Sequence, residues 1–255
     1  MFMATAAKTV AQTAREAKDA SHLLARVSWD EKDACLRDLA DRIDHSVDGL
    51  LAANRADVDA GREEGLNEAL LDRLALTPAR IAEMAKGVRE IADLDDPVGE
   101  VVEGWTLENG LDVAKKRVPI GVVAVVYEAR PNVTIDAAAL CLKSGNAAVL
   151  RGSSSAESSN AFLAGLIADA LTAAELPAAS VSLLSGGGHE QLAELATQED
   201  VVDLIIPRGG EGLKNALKEV AKVPVMYAAA GNCHVYVHPD ADLEMAEREI
   251  GRAHV

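Results

Sequence analysis

Eight uncharged residues, Ile120 to Tyr127, form a valine-rich run bounded by Pro119 and followed, after a short charged turn, by Pro131. A continuous apolar run of this length predicts a strand buried on both faces, and so a sheet with helices above and below it. A helical segment of small residues, about Val133 to Lys143, comes next. Ser144-Gly145-Asn146 stops it, and a second apolar strand, Ala147 to Leu150, follows. The unit is strand, helix, strand. Its first strand ends in an abrupt turn, Glu128-Ala129-Arg130-Pro131-Asn132. In open α/β sheets, ligands bind at that carboxyl edge.

The pattern continues in both directions. Strands are expected at Gly121–Tyr127, Ala147–Leu150, Ser180–Leu184, Val201–Ile206 and Val223–Tyr227. Helices fall between them at about Ser155–Leu171, His189–Thr197 and Glu211–Ala221. Such alternation implies right-handed crossovers and five parallel strands with helices on both faces. The first hundred residues read as helices: Ala4–Ala25, then one capped by Ser28 with Glu31 reaching back, carrying Leu36, Leu39, Ile43, Val47 and Leu50. Thr77-Pro78 starts another, with Ile81, Met84, Val88 and Ile91 as its apolar face. Asp96-Pro97 closes this block, and Asn109-Gly110 within Val101–Arg117 marks a hairpin, an extension of the kind that serves subunit contacts. A last strand, Val235–Val237, precedes a helix that begins at Asp240 and runs to Glu249. A domain does not stop in the first turns of a helix with nothing packed on it, so the chain reads as incomplete.

Aromatic residues make up only 3% of the chain, so the core must be aliphatic. No apolar run reaches the ~18 residues that would cross a bilayer, and Met1–Val10 lacks the apolar core of a signal peptide. A cytoplasmic protein is the expectation. The three cysteines, Cys35, Cys141 and Cys233, have no metal spacing and make no disulfide framework. A net charge of −16 disfavours nucleic acid and anionic membranes as partners. Between Lys115 and Arg151, however, six basic residues (Lys115, Lys116, Arg117, Arg130, Lys143, Arg151) face two acidic ones, Glu128 and Asp136. A local positive field suits an anionic small molecule.

Four strand ends carry small-residue clusters: Arg151-Gly152-Ser153, Ser185-Gly186-Gly187-Gly188, Arg208-Gly209-Gly210 and Gly231-Asn232. Glycine at a strand-to-helix turn lets backbone approach a phosphate, and the next helix offers free N–H groups. Together these predict a nucleotide site, although none matches G-x-G-x-x-G or the phosphate loop G-x-x-x-x-G-K. Arg151 and Arg208 could fork onto phosphate, or serve in surface salt bridges. Cys141 falls in an apolar helix and Cys35 in the amino-terminal helices. Cys233 and His234 point to opposite faces of an extended segment, so His234 reads as a structural histidine. No ligand cluster implies a metal.

The stretch VPIGVVAVVYEARPNVTIDAAALCLKSGNAAVLRG strongly resembles the gamma-glutamyl phosphate reductase family of the aldehyde dehydrogenase superfamily. LLDRLALTPARI, DPVGEV, IIPRGGEGL and GNCHVYV resemble that family's other landmarks in the same order, covering about Ala11 to Glu249. The resemblance implies an aldehyde-dehydrogenase-like α/β fold: a helical amino-terminal segment, a Rossmann-like parallel sheet, a projecting β-hairpin, and a catalytic domain that is mostly missing. The expected divisions are 1–98 (helical part of the cofactor domain), 99–118 (oligomerisation-type hairpin), 119–230 (NADP-binding core), 231–249 (start of the catalytic domain) and 250–255. That last segment, IGRAHV, does not resemble the family and reads as a translated sequencing adapter, ATC GGA AGA GCA CAC GTC.

The activity implied is NADPH-dependent reduction of L-glutamyl 5-phosphate to glutamate 5-semialdehyde in proline biosynthesis, through a cysteine thioester. In this family the attacking cysteine lies downstream of GNCHVYV, so this chain is expected to turn nothing over. Carried onto this chain, the resemblance assigns cofactor contacts to Tyr127, Glu128, Ala129, Arg151, Gly152, Ser153, Ser185, Gly186, Gly187, Arg208, Gly209 and Gly210. It assigns substrate contacts to Arg130 and Asn132, with Asn132 also the candidate oxyanion amide. A homo-oligomer that acts with glutamate 5-kinase is implied. Two alternatives stay open. Another acyl-reducing or aldehyde-oxidising member of the superfamily is one; an oxidising member should carry a glutamate base before Gly231, where Ala228-Ala229-Ala230 stands. The other is a non-catalytic nucleotide-binding protein.

Overall fold

Caps and breakers decide where the helices lie. The computed structural model describes residues 8–185, 187–227 and 234–251. Gly186, the Ala228–Cys233 segment with its expected turn and cysteine, the first residues of the Ala4–Ala25 helix, and residues 252–255 of the expected tail lie outside them. Thr9 and Gln12 close a capping box on α1 (Val10–Leu24), and Ser28 and Glu31 close one on α2 (Trp29–His45). The apolar series expected to run through one helix is divided. Ser46, with φ −113° and ψ 17°, leaves the helical region, and α3 (Val47–Glu63) starts after it. Leu50 nevertheless faces the same core as Leu36 and Ile43. A short helix absent from the sequence expectation, α4 (Glu68–Leu74), is capped by Asn67, whose side chain accepts from the Leu70 N–H at 2.9 Å. Thr77 caps α5 (Pro78–Ala92), with Pro78 in its first turn.

The hairpin forms as expected from β1 (Val101–Thr106) and β2 (Asp112–Lys116), antiparallel. Its loop spans residues 107–111, with Gly110 at φ +83°. Val101, Val102 and Trp105 are exposed on it.

The sheet follows. β3 (Val122–Tyr127) is buried along its whole length and leads through α6 (Asn132–Lys143) to β4 (Ala147–Arg151). A turn of 3₁₀ helix and α7 (Glu157–Ala173) lead to β5 (Val181–Leu183), and α8 (His189–Ala196) to β6 (Leu204–Arg208). α9 (Glu211–Val220) follows. The strands are parallel, in the order β5-β4-β3-β6. α6 and α7 cover one face with α2 and α5 behind them; α1 covers the other, with α8 against it and α9 beyond.

Among the described residues, four strands stand in this sheet where five were expected. The Val223–Tyr227 segment is reduced to one bridge, Ile205 to Val225, held by Ile205 N–H to Pro224 O and Met226 N–H to Ile205 O, both 2.9 Å. Alternation puts the next donor on that edge at residue 207, and Pro207 has no N–H. β6 also begins three residues later than Val201. Val201 and Val202 are buried, but in a turn in which both amides donate to Gln198 O. Val235–Val237 forms no strand; Tyr236 is 84% exposed, and His234 is exposed rather than packed. α10 (Leu243–Gly251) starts later than Asp240 because Asp242 caps it, accepting from Met245 N–H at 3.1 Å.

Two ion-pair systems tie these layers together. Lys18 on α1 reaches both oxygens of Asp203 at 2.8 Å, and Asp203 also accepts from the Val122 N–H at 2.8 Å. Lys143, at the end of α6, meets Asp33 at 2.6 Å and Ala92 O at 2.8 Å, and lies over the Trp29 ring. Its neighbour Lys32 bonds Asp96 and, at 3.2 Å, Lys143 O. The basic island therefore divides. Lys143 is buried at the amino-terminal edge of the sheet, Lys115 and Lys116 sit on the hairpin, and Arg117 pairs with Glu100 at 2.7 Å. Arg130 and Arg151 remain at the carboxyl edge.

Candidate active site

From β3 the chain turns to α6 on one face; from the adjacent β6 it turns to α9 on the other. The strand order reverses there, which opens a crevice at the carboxyl ends of the strands. A cavity of about 300 Å³ occupies it, lined among others by Tyr127, Glu128, Arg151, Ser153, Gly187 and Gly212. A smaller recess beside it is lined by Gly152, Ser153, Ser185 and Gly187. Turns after β3, β4 and β5 thus converge with the first turn of α9.

Arg151 organises this crevice. One terminal nitrogen donates to Gly187 O at 2.9 Å and Gly188 O at 2.8 Å, fixing the turn after β5. Its Nε is buried with no partner, and burial pulls the guanidinium pKa below its ordinary value. α8 and α9 begin at Gly188 and Gly210, neither of which caps its helix with a side chain. Their first-turn amides are left for an anion. One is in use: the Glu128 carboxylate accepts from the Gly210 N–H at 2.9 Å. Glu128 lies so close over Gly209 that a Cβ there would sit 2.7 Å from its Cδ.

Behind the crevice, Tyr127, Thr134 and Asn160 form a buried chain. Thr134 donates to Asn160 Oδ1 at 2.8 Å, so the Tyr127 hydroxyl donates to Thr134 Oγ1 at 2.7 Å. Burial pushes the Tyr127 pKa up to about 12, with the Thr134 hydrogen bond acting the other way. Gly152 gives this chain its room, since a Cβ would meet Asn160 Nδ2 at 2.3 Å. Thr134→Val should cost about 3 kcal/mol of stability, because both neighbours lose their partner, whereas Tyr127→Phe should cost only about 1 kcal/mol. Urea unfolding of the two variants measures the difference.

The remaining expected site residues are distributed differently. Ala129 turns away and packs with Val58, Leu71, Leu74 and Ala156. Arg208 is exposed at the end of β6 and does not line the Arg151 crevice; its charge acts on Asp136. Asn132 opens α6, and its amide donates to Asp136 at 3.1 Å. Burial raises the Asp136 pKa, opposed by that hydrogen bond and by Arg208. Arg130 and Asn132 line a second cavity of about 390 Å³, shared with Arg73 and Arg80 from the α4–α5 turn. The loop from Glu128 to Asn132 therefore walls both cavities, one on each side. Arg73 and Arg80 fall within LLDRLALTPARI, one of the stretches that carry the resemblance, but nothing in the residues around them marked them as lining a site. Burial pushes the Cys35 thiol up to about 11 and the Cys141 thiol up to about 12, which keeps both protonated near neutrality.

The crevice at the strand reversal and the paired cavities define an α/β dehydrogenase-type architecture, and the sequence agrees. Residues 2–255 match the model of the aldehyde dehydrogenase family, and the chain belongs to that family. Within it, the chain is similar to gamma-glutamyl phosphate reductases. It is 48% identical to that of Thermobifida fusca over 239 residues, which is 94% of this chain and 57% of the relative. To that of Moorella thermoacetica it is 47% identical over 250 residues, 98% of this chain and 59% of the relative. The crystal structure of the Thermotoga maritima gamma-glutamyl phosphate reductase superposes with a TM-score of 0.87 at 39% identity, covering 96% of this chain and 59% of that one. The chain thus spans somewhat under three fifths of the length of these relatives.

Proposed function

We propose that this chain forms the cofactor-binding part of an NADPH-dependent reductase acting on L-glutamyl 5-phosphate in proline biosynthesis. The overall reaction is glutamyl phosphate, NADPH and a proton giving glutamate 5-semialdehyde, NADP⁺ and inorganic phosphate. Similarity to gamma-glutamyl phosphate reductases suggests the substrate. The observation that carries the reading is the Glu128–Asn132 loop, which separates a glycine-lined crevice from an arginine-lined cavity. Members of the aldehyde dehydrogenase family generally use NAD or NADP.

The residues present fit a phosphorylated dinucleotide. The unpartnered Nε of Arg151 and the uncapped amides of α8 and α9 are donors suited to phosphate. When bound, NADPH supplies a hydride. Arg151 would hold the extra phosphate, Ser153, Ser185 and Gly187 would shape the adenosine end, and Tyr127 and Glu128 would floor the path toward the loop. Gly209 and Gly210 would accept the pyrophosphate once Glu128 withdraws. Asn132 would donate to the oxyanion of a tetrahedral intermediate, a contribution of about 3–4 kcal/mol. In this reading the attacking cysteine belongs to the part of the family fold that these 255 residues do not match, and expulsion of phosphate leaves a thioester for reduction. The exposed hairpin would join copies into a homo-oligomer, glutamate 5-kinase would deliver the substrate, and the setting would be the cytoplasm.

Fluorescence titration with NADPH and NADH tests the proposal. NADPH is expected to bind at least about tenfold tighter than NADH, the worth of one charge-assisted contact. Arg151→Ala should erase that preference. Equal binding of the two would overturn the assignment of Arg151, and absence of binding would overturn the cofactor reading.

A further inference from the structure

At the start of α9 the chain supplies its own anion. The Glu128 carboxylate accepts from the Gly210 N–H at 2.9 Å and covers Gly209, where a Cβ would come within 2.7 Å of it. Gly210 opens α9 without a side-chain cap, so the first-turn amides carry a partial positive charge that this carboxylate meets. Glu128 is exposed and makes no ion pair among the described residues. One hydrogen bond holds it, and water can replace that bond at small cost. Arg151 lines the same crevice but does not take this carboxylate. Its terminal nitrogen is fixed on Gly187 O and Gly188 O, and its buried Nε has no partner. The crevice thus holds two separate places for negative charge, one at Arg151 and one at α9 that Glu128 already fills.

We infer that Glu128 is a specificity-determining residue: it closes the α9 amides to free inorganic phosphate and gives way only to a phosphate group anchored elsewhere in the crevice. The inference rests on the function proposed above and adds how that site selects its ligand. Under that function inorganic phosphate is a product, and an unguarded helix terminus would hold it where the cofactor's pyrophosphate belongs. A free anion must displace the carboxylate with the affinity of a single contact. A dinucleotide does so with its adenosine end already bound, which makes the second contact intramolecular. Reach matters as much as charge. A side chain one methylene shorter would hold its carboxylate about 1.5 Å, one C–C bond, short of its present place, outside hydrogen-bond range of the Gly210 N–H.

The test is titration of the chain, carrying isotope-labelled glycine, with inorganic phosphate, adenosine 2′-monophosphate and NADPH. The Gly210 amide resonance reports events at α9, and calorimetry gives the affinities. Glu128→Ala is expected to strengthen phosphate binding at Gly210 by at least about tenfold, the worth of one charge-assisted hydrogen bond, and NADPH binding by a similar factor. Glu128→Asp, which keeps the charge but loses the reach, should recover most of that gain. Adenosine 2′-monophosphate carries no group that extends to α9, so its affinity should change by less than about twofold. Thermal melting of both variants confirms that they are folded. Unchanged phosphate binding in Glu128→Ala overturns the inference. So does a Glu128→Asp variant that behaves like the wild type, since charge and not the contact would then be responsible. A gain for phosphate with no NADPH binding in any variant would uphold the role of Glu128 and overturn the cofactor reading. NADPH binding with no change at Gly210 would do the reverse.

Discussion

Asp33→Ala is expected to lower the unfolding free energy by about 3–5 kcal/mol, far more than its position outside the site suggests. The Lys143 side chain is 4% exposed and that of Asp33 16% exposed, and they meet at 2.6 Å. Removing the carboxylate leaves an ammonium with one carbonyl, Ala92 O, and the face of Trp29, away from water. Removing both charges is a milder change: Lys143→Met with Asp33→Leu should recover most of the loss, because a packed apolar pair needs no desolvation. Urea unfolding of the single and double variants measures both terms. A single-variant loss under about 1 kcal/mol would mean that water reaches Lys143 and that the pair behaves as a surface bridge.

Gly121→Ala is the second large effect, about 3–4 kcal/mol, and its cost has two separable parts. Gly121 has φ +125°, a conformation that disfavours any residue with a Cβ. That Cβ would also lie 2.2 Å from Asp203 Oδ2, the oxygen that holds the Val122 N–H and Lys18. The carboxylate would have to move, loosening the start of β3 from β6 and from α1. Gly65 provides the control. It has φ +80° with nothing near its would-be Cβ, so Gly65→Ala should cost only the conformational part, about 1 kcal/mol. Equal losses at the two positions would show that Asp203 is not displaced.

How much of this could be read from sequence depends on what each residue's signal is. β3 and its turn were legible because a strand buried on both faces must be an unbroken apolar run, and the capping residues Ser28 and Thr77 act on neighbours within four positions. The break at Ser46 was hidden because Val47 and Leu50 continue the apolar spacing into α3. The start of β6 was misplaced because burial alone does not separate a strand from a buried turn, and Val201 and Val202 are in the turn. Asn67 did offer a cap signal for α4, but a seven-residue helix has too few apolar positions to show a period. The corners after β4 and β5 come together because each follows a strand of one parallel sheet, which is a consequence of alternation. The division of the basic island was implicit in the expected elements: Lys143 ends a helix and Arg151 ends the strand after it, so the two emerge at opposite edges, and counting charges along the chain hid this. The Arg73–Arg130 cavity is the clearest case, since packing of a helix turn over a distant loop leaves no mark on local sequence.

Pro207 stops the bridge between Ile205 and Val225 from extending. An outermost strand with a full row of free amides is a template on which a foreign β-segment can grow. Here the row is interrupted by a ring that cannot donate, and its neighbouring donor at Ile205 is already taken by Pro224. That flank is thereby disarmed against intermolecular zippering, which leaves β5, at the opposite end of the sheet, as the edge on which a foreign segment could pair.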